Sequence, residues 1–496
     1  MKKDETLKKI IIIFGLILII LQFVLYLLNY YGITGYNKFF WSIVHSRDPA
    51  RDWQPKVSLV IYSFIMLILS TLISIAKIRN KIISTLRNKI EKRKIKRKIL
   101  FFIILSLIFL IAAFTFRFSN DAVNSRDHWG ITIVNKASTD PSRLFYMSAP
   151  ISSYSLFVFY KLASSLFSWD TVKSTEIIFL LTAPFYFLIL LVLADKLTEN
   201  KLRKLLLFLL FISTGFAQFL FGWYDGTTFG YFWTIVFLLL SFLYIKNKIK
   251  FIYPVLAYWL SFWTSAAMFW FFPGLLFLYF FNSKINELSI KNFFRGIFNK
   301  KFLKFILLLI IPTILLFLFI EINLYKIFNI HIYNIEKIKV GSLLGGGDGI
   351  IFVPLFKITT HWQFFTMFSS AHFLDFLNFN LLLAPFGLML FILLILFYKR
   401  QINFKNPFLY FLLILVAFFL LFMTTFNTDE IEVAAWDIYA PIHILFVIIN
   451  SFILFNIKKE NLWEELALII FIFSISLTIP WIISNSQLAH YIINYQ

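Results

Sequence analysis

Long uncharged apolar runs alternate with short charged breaks along nearly the whole chain of 496 residues. A helix that crosses about 30 Å of hydrocarbon needs about 20 apolar residues. Runs of that kind predict spans near 10–29, 57–76, 99–117, 176–194, 204–222 and 229–245. A second set follows near 303–323, 376–398, 408–426, 437–457 and 464–484. Two segments do not fit one span each. ISSYSLFVFYKLASSLFSW, residues 151–169, is barely long enough and carries Lys161 among six serines, so it predicts a helix lying on the membrane surface. FIYPVLAYWLSFWTSAAMFWFFPGLLFLYFF, residues 251–281, is too long for one span and short for two, and predicts a hairpin of two short helices meeting near TSAA at 264–267.

Composition agrees with the pattern. A hydrophobic share of 60%, 66 phenylalanines and a mean hydropathy of +0.81 lie far outside the range of soluble domains. The reading is an all-α polytopic membrane protein of about 11 full spans plus the hairpin and the surface helix. The opening KKDETLKK and the apolar run behind it have a signal peptide's charge order. The run is too long and lacks a small-residue cleavage site, so it reads as a retained first span.

Charge distribution then sets the orientation. The loops 2–9, 77–98, 195–204, 246–250, 282–304, 399–407 and 458–459 hold 33 of the 47 Lys and Arg, which predicts that they face the cytoplasm. A crossing by 151–169 would invert every later loop and put 18 basic residues outside against four within. The expected topology has the N-terminus inside and the C-terminus outside, in the plasma membrane. The basic loops, KRKIKRK at 92–98 included, read as orientation signals with attraction to anionic membrane lipids. A net charge of +22 does not point to nucleic acid, because no soluble segment is large enough to carry a binding fold. The absence of cysteine excludes disulfides, thiolate metal sites and cysteine nucleophiles.

The same topology places 16 of the 25 acidic residues and all seven histidines at the outer face. Candidate chemistry therefore belongs there. SNDAVNSRDHWG, 119–130, opens the longest outer loop, 118–175. If helical, it sets Asp121, Asn124 or Ser125, and His128 on one face, with Asp127 beside His128. That cluster suits a carboxylate base next to an imidazole or arginine that holds an anion. It equally suits a solvated loop whose Asp and Asn cap helix ends. His372 and Asp375, at i and i+3, can bind a metal or simply hydrogen-bond. GSLLGGGDG at 341–349 follows no strand and opens no helix, so mobility fits it better than a phosphate cradle. Most tryptophans fit an interfacial belt.

From residue 99 onward the order is a span, an acidic outer loop, the surface segment SSYSLFVFYKLASSLF, and a span ending in the basic turn LADKLTENKLRK. With the acidic turn in FAQFLFGWYDGTTFGYFW, and with SSAHFLDFLNFNLLLAPFGL and AAWDIYAP further on, this arrangement resembles the GT-C superfamily of membrane glycosyltransferases. The resemblance covers about residues 99–484 and is architectural; the family's adjacent Asp-Glu or Asp-x-Asp pair is replaced by DAVNSRDH. It divides the chain into two N-terminal spans with a basic loop, 1–98, a catalytic region, 99–484, and an outer tail, 485–496. It implies a sugar transfer from a polyprenyl-phosphate donor to a lipid or glycan acceptor. Asp127 is then the base, Asp121 its partner or a metal ligand, and Asp225 the second acidic contributor. Arg126, His128, Arg143, Lys161 and His372 are the candidates for substrate binding. Asp121, Asp127 and Asp225 are also the candidate ligands of a divalent metal, Mg or Mn. Asp48 and Asp52, in the loop after the first span, compete for the first role. A ligase or polymerase of lipid-linked glycans, and a flippase or transporter, are the alternatives. A transporter should carry ionisable residues at mid-membrane, and the predicted span centres are almost free of them.

Overall fold

The computed structural model describes residues 2–33, 39–44, 57–92, 98–115, 134–135, 137–138, 149–221, 227–282, 300–328, 352–360, 363–427, 436–457 and 460–485. In chain order the helices are α1 (Lys2–Tyr30), α2 (Trp41–Val44), α3 (Val57–Ser74), α4 (Ala76–Lys92), α5 (Lys98–Thr115), α6 (Pro150–Phe167), α7 (Thr171–Leu197) and α8 (Lys201–Phe211). After a 3-10 turn, Gly215–Phe221, come α9 (Thr227–Ile245) and α10 (Ile252–Thr264). A second 3-10 turn, Ala266–Phe271, leads into α11 (Phe272–Asn282), then α12 (Lys300–Phe328), α13 (Ser370–Leu383) and α14 (Gly387–Tyr398). The chain ends with α15 (Pro407–Thr425), α16 (Trp436–Tyr439), α17 (Pro441–Asn456) and α18 (Glu460–Asn485). Among the described residues extended pairing is limited to one bridge, Phe352 with Phe426.

Apolar sequence forces this architecture, because lipid offers no partner for backbone N–H and C=O groups and a helix satisfies them internally. The ends are marked by polar caps. Asp170 accepts from the Lys173 amide at 2.7 Å, Asn200 from that of Arg203 at 3.1 Å, and Asn406 from those of Phe408 and Leu409.

Seven helices among the described residues are long and apolar enough to cross a membrane, and two bent pairs raise that to nine. α3 turns into α4 by 86°, and α13 into α14 by 91°. The first bend marks the change from an apolar span to the basic sequence AKIRNKIISTLRNKIEK. The second divides the apolar run 376–398, expected to be continuous. There Ala384-Pro385-Phe386 interrupts it, since proline disfavours helical geometry in the residue before it and has no N–H to give. The run 204–222 is interrupted as well, at Ile212–Thr214. The hairpin of 251–281 is present, its helices separated by Ser265 and the 3-10 turn, next to the TSAA motif.

Burial separates centre from rim. α17 has 83% of its apolar window buried and sits at the heart of the bundle, whereas α12 has 11% and turns Leu303, Ile310, Ile314, Leu315 and Leu318 outward. α6 buries Ser152 and Ser153 while Leu162, Leu166 and Phe167 lie exposed, an inside-out pattern suited to contact with lipid rather than water.

The two ends of the bundle differ in chemistry. At the end where α1, α8 and α18 begin, Arg79 reaches Glu465 through Nε at 3.0 Å and Nη2 at 2.8 Å, and Lys8 reaches the same carboxylate at 3.0 Å. Glu464 pairs with Arg87 and lies 3.9 Å from Arg203. Adjacent glutamates thus tie α1, α4 and α8 to α18. This is the basic end; the candidate site lies at the other end, the acidic end, so called because the sequence predicts most of the acidic residues there.

Candidate active site at the acidic end

α9, the hairpin tip, α13, α15 and α16 meet at this end. The first turn of α9 is the hub. Tyr186 of α7 donates its hydroxyl to the Thr228 carbonyl, and Tyr231 donates to the carbonyl of Asp437. Thr227 Oγ1 donates to Asp437 Oδ2 at 3.1 Å, and the Ile438 amide to Oδ1 at 2.9 Å. Asp437 is therefore a buried carboxylate, 5% exposed, held by a hydroxyl and an amide. Buried carboxylates are costly unless hydrogen-bonded or paired, and within membrane proteins they mark functional sites more often than structural ones.

One turn further along α9 the hairpin tip packs in. A Cβ on Gly230 would lie 2.6 Å from Ser265 Cβ, so glycine lets the tip approach the helix backbone. Ser261 Oγ donates to the Gly230 carbonyl at 3.0 Å and shares a 2.6 Å hydrogen bond with Thr234. Ser152, in the first turn of α6, donates to the Thr264 carbonyl at 2.7 Å. The break in the hairpin is thus held from both sides, by α9 and by α6.

α13 supplies the third wall. Ser369 caps it by accepting from the His372 amide at 3.3 Å. The buried His372 ring stacks on Phe365, centroids 4.5 Å apart, and its Nε2 lies 2.9 Å from the Thr424 carbonyl. A carbonyl can only accept, so Nε2 carries a proton, while Nδ1 has no protein partner. Asp375 is buried one turn on. Asn378 follows and fastens α13 to α2, accepting from Ser42 Oγ at 2.7 Å and donating to the Phe39 carbonyl at 2.9 Å. Tyr439 of α16 packs edge-on to Phe379, centroids 4.8 Å apart. An imidazole and two buried carboxylates therefore occupy neighbouring elements at one end of the bundle.

The sequence-derived candidates divide sharply. Asp121, Arg126, Asp127, His128, Arg143 and Asp225 lie outside the described residues, as do Asp48 and Asp52. Asp225 stands two positions before Thr227 in sequence. Lys161 is exposed on α6, its ammonium 5.3 Å from the Phe157 ring centre and 5.6 Å from that of Tyr160. Those ring contacts hold the charge along the flank of α6. Nearby, burial raises the Tyr154 phenol above its ordinary pKa, which keeps it neutral. His372 faces α15 instead, so Lys161 and His372 serve different walls.

Asp437 was not singled out by its spacing. Its signal was faint: a lone aspartate at the start of an apolar run, inside the quoted AAWDIYAP. For a metal, no group of three or more His, Asp or Glu side chains able to hold one occurs among the described residues.

No family model matches the sequence, and no curated protein matches it. Among solved structures the chain is similar to ArnT from Cupriavidus metallidurans bound to undecaprenyl phosphate, at 10% identity and a TM-score of 0.49, over 81% of this chain and 79% of that one. A likeness at that score decides neither fold nor chemistry, and the site rests on its own residues.

Proposed function

We propose that this multi-pass membrane protein is a glycosyltransferase that moves a sugar from a polyprenyl-phosphate donor to a hydroxyl of a lipid or glycan acceptor, at the outer face of the membrane. The observation that supports this best is Asp437, a buried carboxylate bound to the helix start that follows the acidic turn containing Asp225. Together with His372 and Asp375 it makes the acidic end a place where a polar reaction can be shielded from water.

The reaction needs few parts. A carboxylate, assigned to Asp127, takes the acceptor hydroxyl proton as that oxygen attacks the sugar C1. The bond from C1 to the phosphate oxygen breaks, and its electron pair leaves with the polyprenyl phosphate. Cationic side chains, with Arg126 and Arg143 the leading candidates, meet the charge that develops on the leaving group. Should a divalent metal take part, Asp121, Asp127 and Asp225 are the carboxylates to hold it, neutralising the same phosphate.

Transport is the second reading, favoured by the two broken spans. Against it, the cavity at those breaks is about 50 Å³, has no Asp, Glu, Lys or Arg in its lining, and is too small for a sugar.

The test is direct. Protein in nanodiscs, given a labelled polyprenyl-phosphate sugar and a mixture of acceptor lipids and glycans, should release polyprenyl phosphate in step with labelled product. Asp127→Asn should abolish most of both. Movement of intact donor between leaflets, with no bond broken, would replace this reading with the transport one.

A further inference from the structure

Two interrupted spans meet inside the bundle. Ile212–Thr214 separate α8 from the 3-10 turn that continues it, and Ala384–Phe386 separate α13 from α14. The breaks pack against each other: a Cβ on Gly215 would lie 2.8 Å from Leu382 Cγ and 3.1 Å from the Leu382 carbonyl oxygen. Broken backbone at hydrocarbon depth leaves polar groups that lipid cannot satisfy, so it occurs where protein or water supplies the partners.

Beside the breaks lies a cavity of about 50 Å³, with Thr214, Pro385, Gly387, His443, Asn450 and Ser474 in its lining. Several of its polar groups are accounted for within the protein. His443 Nε2 lies 3.0 Å from the Leu210 carbonyl and 3.2 Å from that of Phe211. Asn450 Nδ2 donates to the Gly387 carbonyl at 2.9 Å. Two oxygens remain. Thr214 Oγ1 and Asn450 Oδ1 have no protein partner, although Thr214 is 2% exposed and Asn450 5%.

Orphaned buried oxygens on two residues that line one cavity point to a small ligand that donates hydrogen bonds, and size says which. A water occupies about 30 Å³ of liquid, and cavities that stay empty are apolar. We propose that this cavity binds one or two ordered waters, held by Thr214 Oγ1 and Asn450 Oδ1, which complete the hydrogen bonding around the two facing helix breaks. α13 runs from this junction to His372 and Asp375, so the water site lies at the hinge of the helix that carries a wall of the acidic end.

Thr214→Val keeps the shape of the side chain and removes only the hydroxyl. With water bound, the loss of that partner should lower Tm in nanodiscs by roughly 1 to 3 °C. In a dry cavity the same change removes an orphaned oxygen, and an unchanged or higher Tm overturns the proposal. Asn450→Ala also loses the bond to Gly387, so it is used only in a double-mutant cycle with Thr214→Val. Shared waters predict that the Thr214→Val loss shrinks by half or more in the Asn450→Ala background; additive losses overturn the proposal. If a variant does not fold, a cryo-EM map of the wild-type protein decides, at a resolution that shows other buried waters. Density beside both oxygens is expected, and a cavity without it overturns the site.

Discussion

Thr227 Oγ1 and Asp437 Oδ2 meet at 3.1 Å across 210 positions of sequence, tying the start of α9 to α16. This one contact brings together two segments of the acidic end, one following Asp225 and the other following NTDEIEVAAW.

Asp437→Asn keeps the side chain's size and one acceptor oxygen, while its NH2 can donate to the Thr227 hydroxyl, and it removes the charge. If that charge serves the reaction, sugar transfer should fall about 100-fold, the lower bound of acid–base and electrostatic contributions, while Tm moves little. Thr227→Val, which leaves the carboxylate in place, should cost less. Turnover close to wild type in Asp437→Asn would make Asp437 a strut and remove it from the site.

Gly230 is a steric prediction. Gly230→Ala puts a Cβ 2.6 Å from Ser265 Cβ, so either α9 or the hairpin tip must move. Overpacking of this kind costs about 1–3 kcal/mol. Ser265→Gly removes the opposing Cβ, and the double variant should regain most of the lost Tm. No regain would mean that the strain lies elsewhere.

Much of this architecture is legible in the sequence, and the exceptions have physical reasons. The hairpin tip is readable because TSAA puts small and hydroxylated residues between two runs each too short to span. The interruptions at Ile212–Thr214 and Ala384–Phe386 sit inside runs whose hydropathy does not change, so counting apolar residues passes over Pro385 and Gly215. Hydropathy reports the solvent of a segment, not its backbone. Asp437 is hidden for another reason: its meaning comes from Thr227, and no local spacing encodes a partner so distant in sequence. Glu464 and Glu465 illustrate the same limit. Neighbours on a helix point in different directions, and only the packed bundle shows that one meets Arg87 and the other Arg79 and Lys8.

That basic-end cluster is a stability element. Arg79 is 2% exposed along its side chain, and it also donates to the Ile73 and Ser74 carbonyls at the end of α3. Glu465→Gln would leave this buried guanidinium without its counter-charge, at a cost of about 3 kcal/mol. Glu5 lies 2.5 Å from Lys8 but is 60% exposed, so Glu5→Gln should cost less than about 1 kcal/mol. Thermal unfolding of the two variants in the same nanodisc would test the contrast, and equal losses would show that burial does not set the value of these pairs.

Orientation is the remaining prediction, and a chain without cysteine permits a clean test. The basic loops predict that the basic end faces the cytoplasm, because Lys and Arg are retained on that side during insertion. Suitable positions must be exposed. Ser168, in the turn between α6 and α7, and Lys357, ahead of α13, are exposed and belong to the predicted outer side; Lys248 and Lys405 are exposed and belong to the predicted inner side. Single cysteines at Ser168 and Lys357 should react with an impermeant thiol reagent in intact cells, and those at Lys248 and Lys405 only after the membrane is opened. The reverse pattern would put the acidic end in the cytoplasm, where Asp437 and His372 would face a cytoplasmic donor, and a transfer reaction at the outer face would have no site.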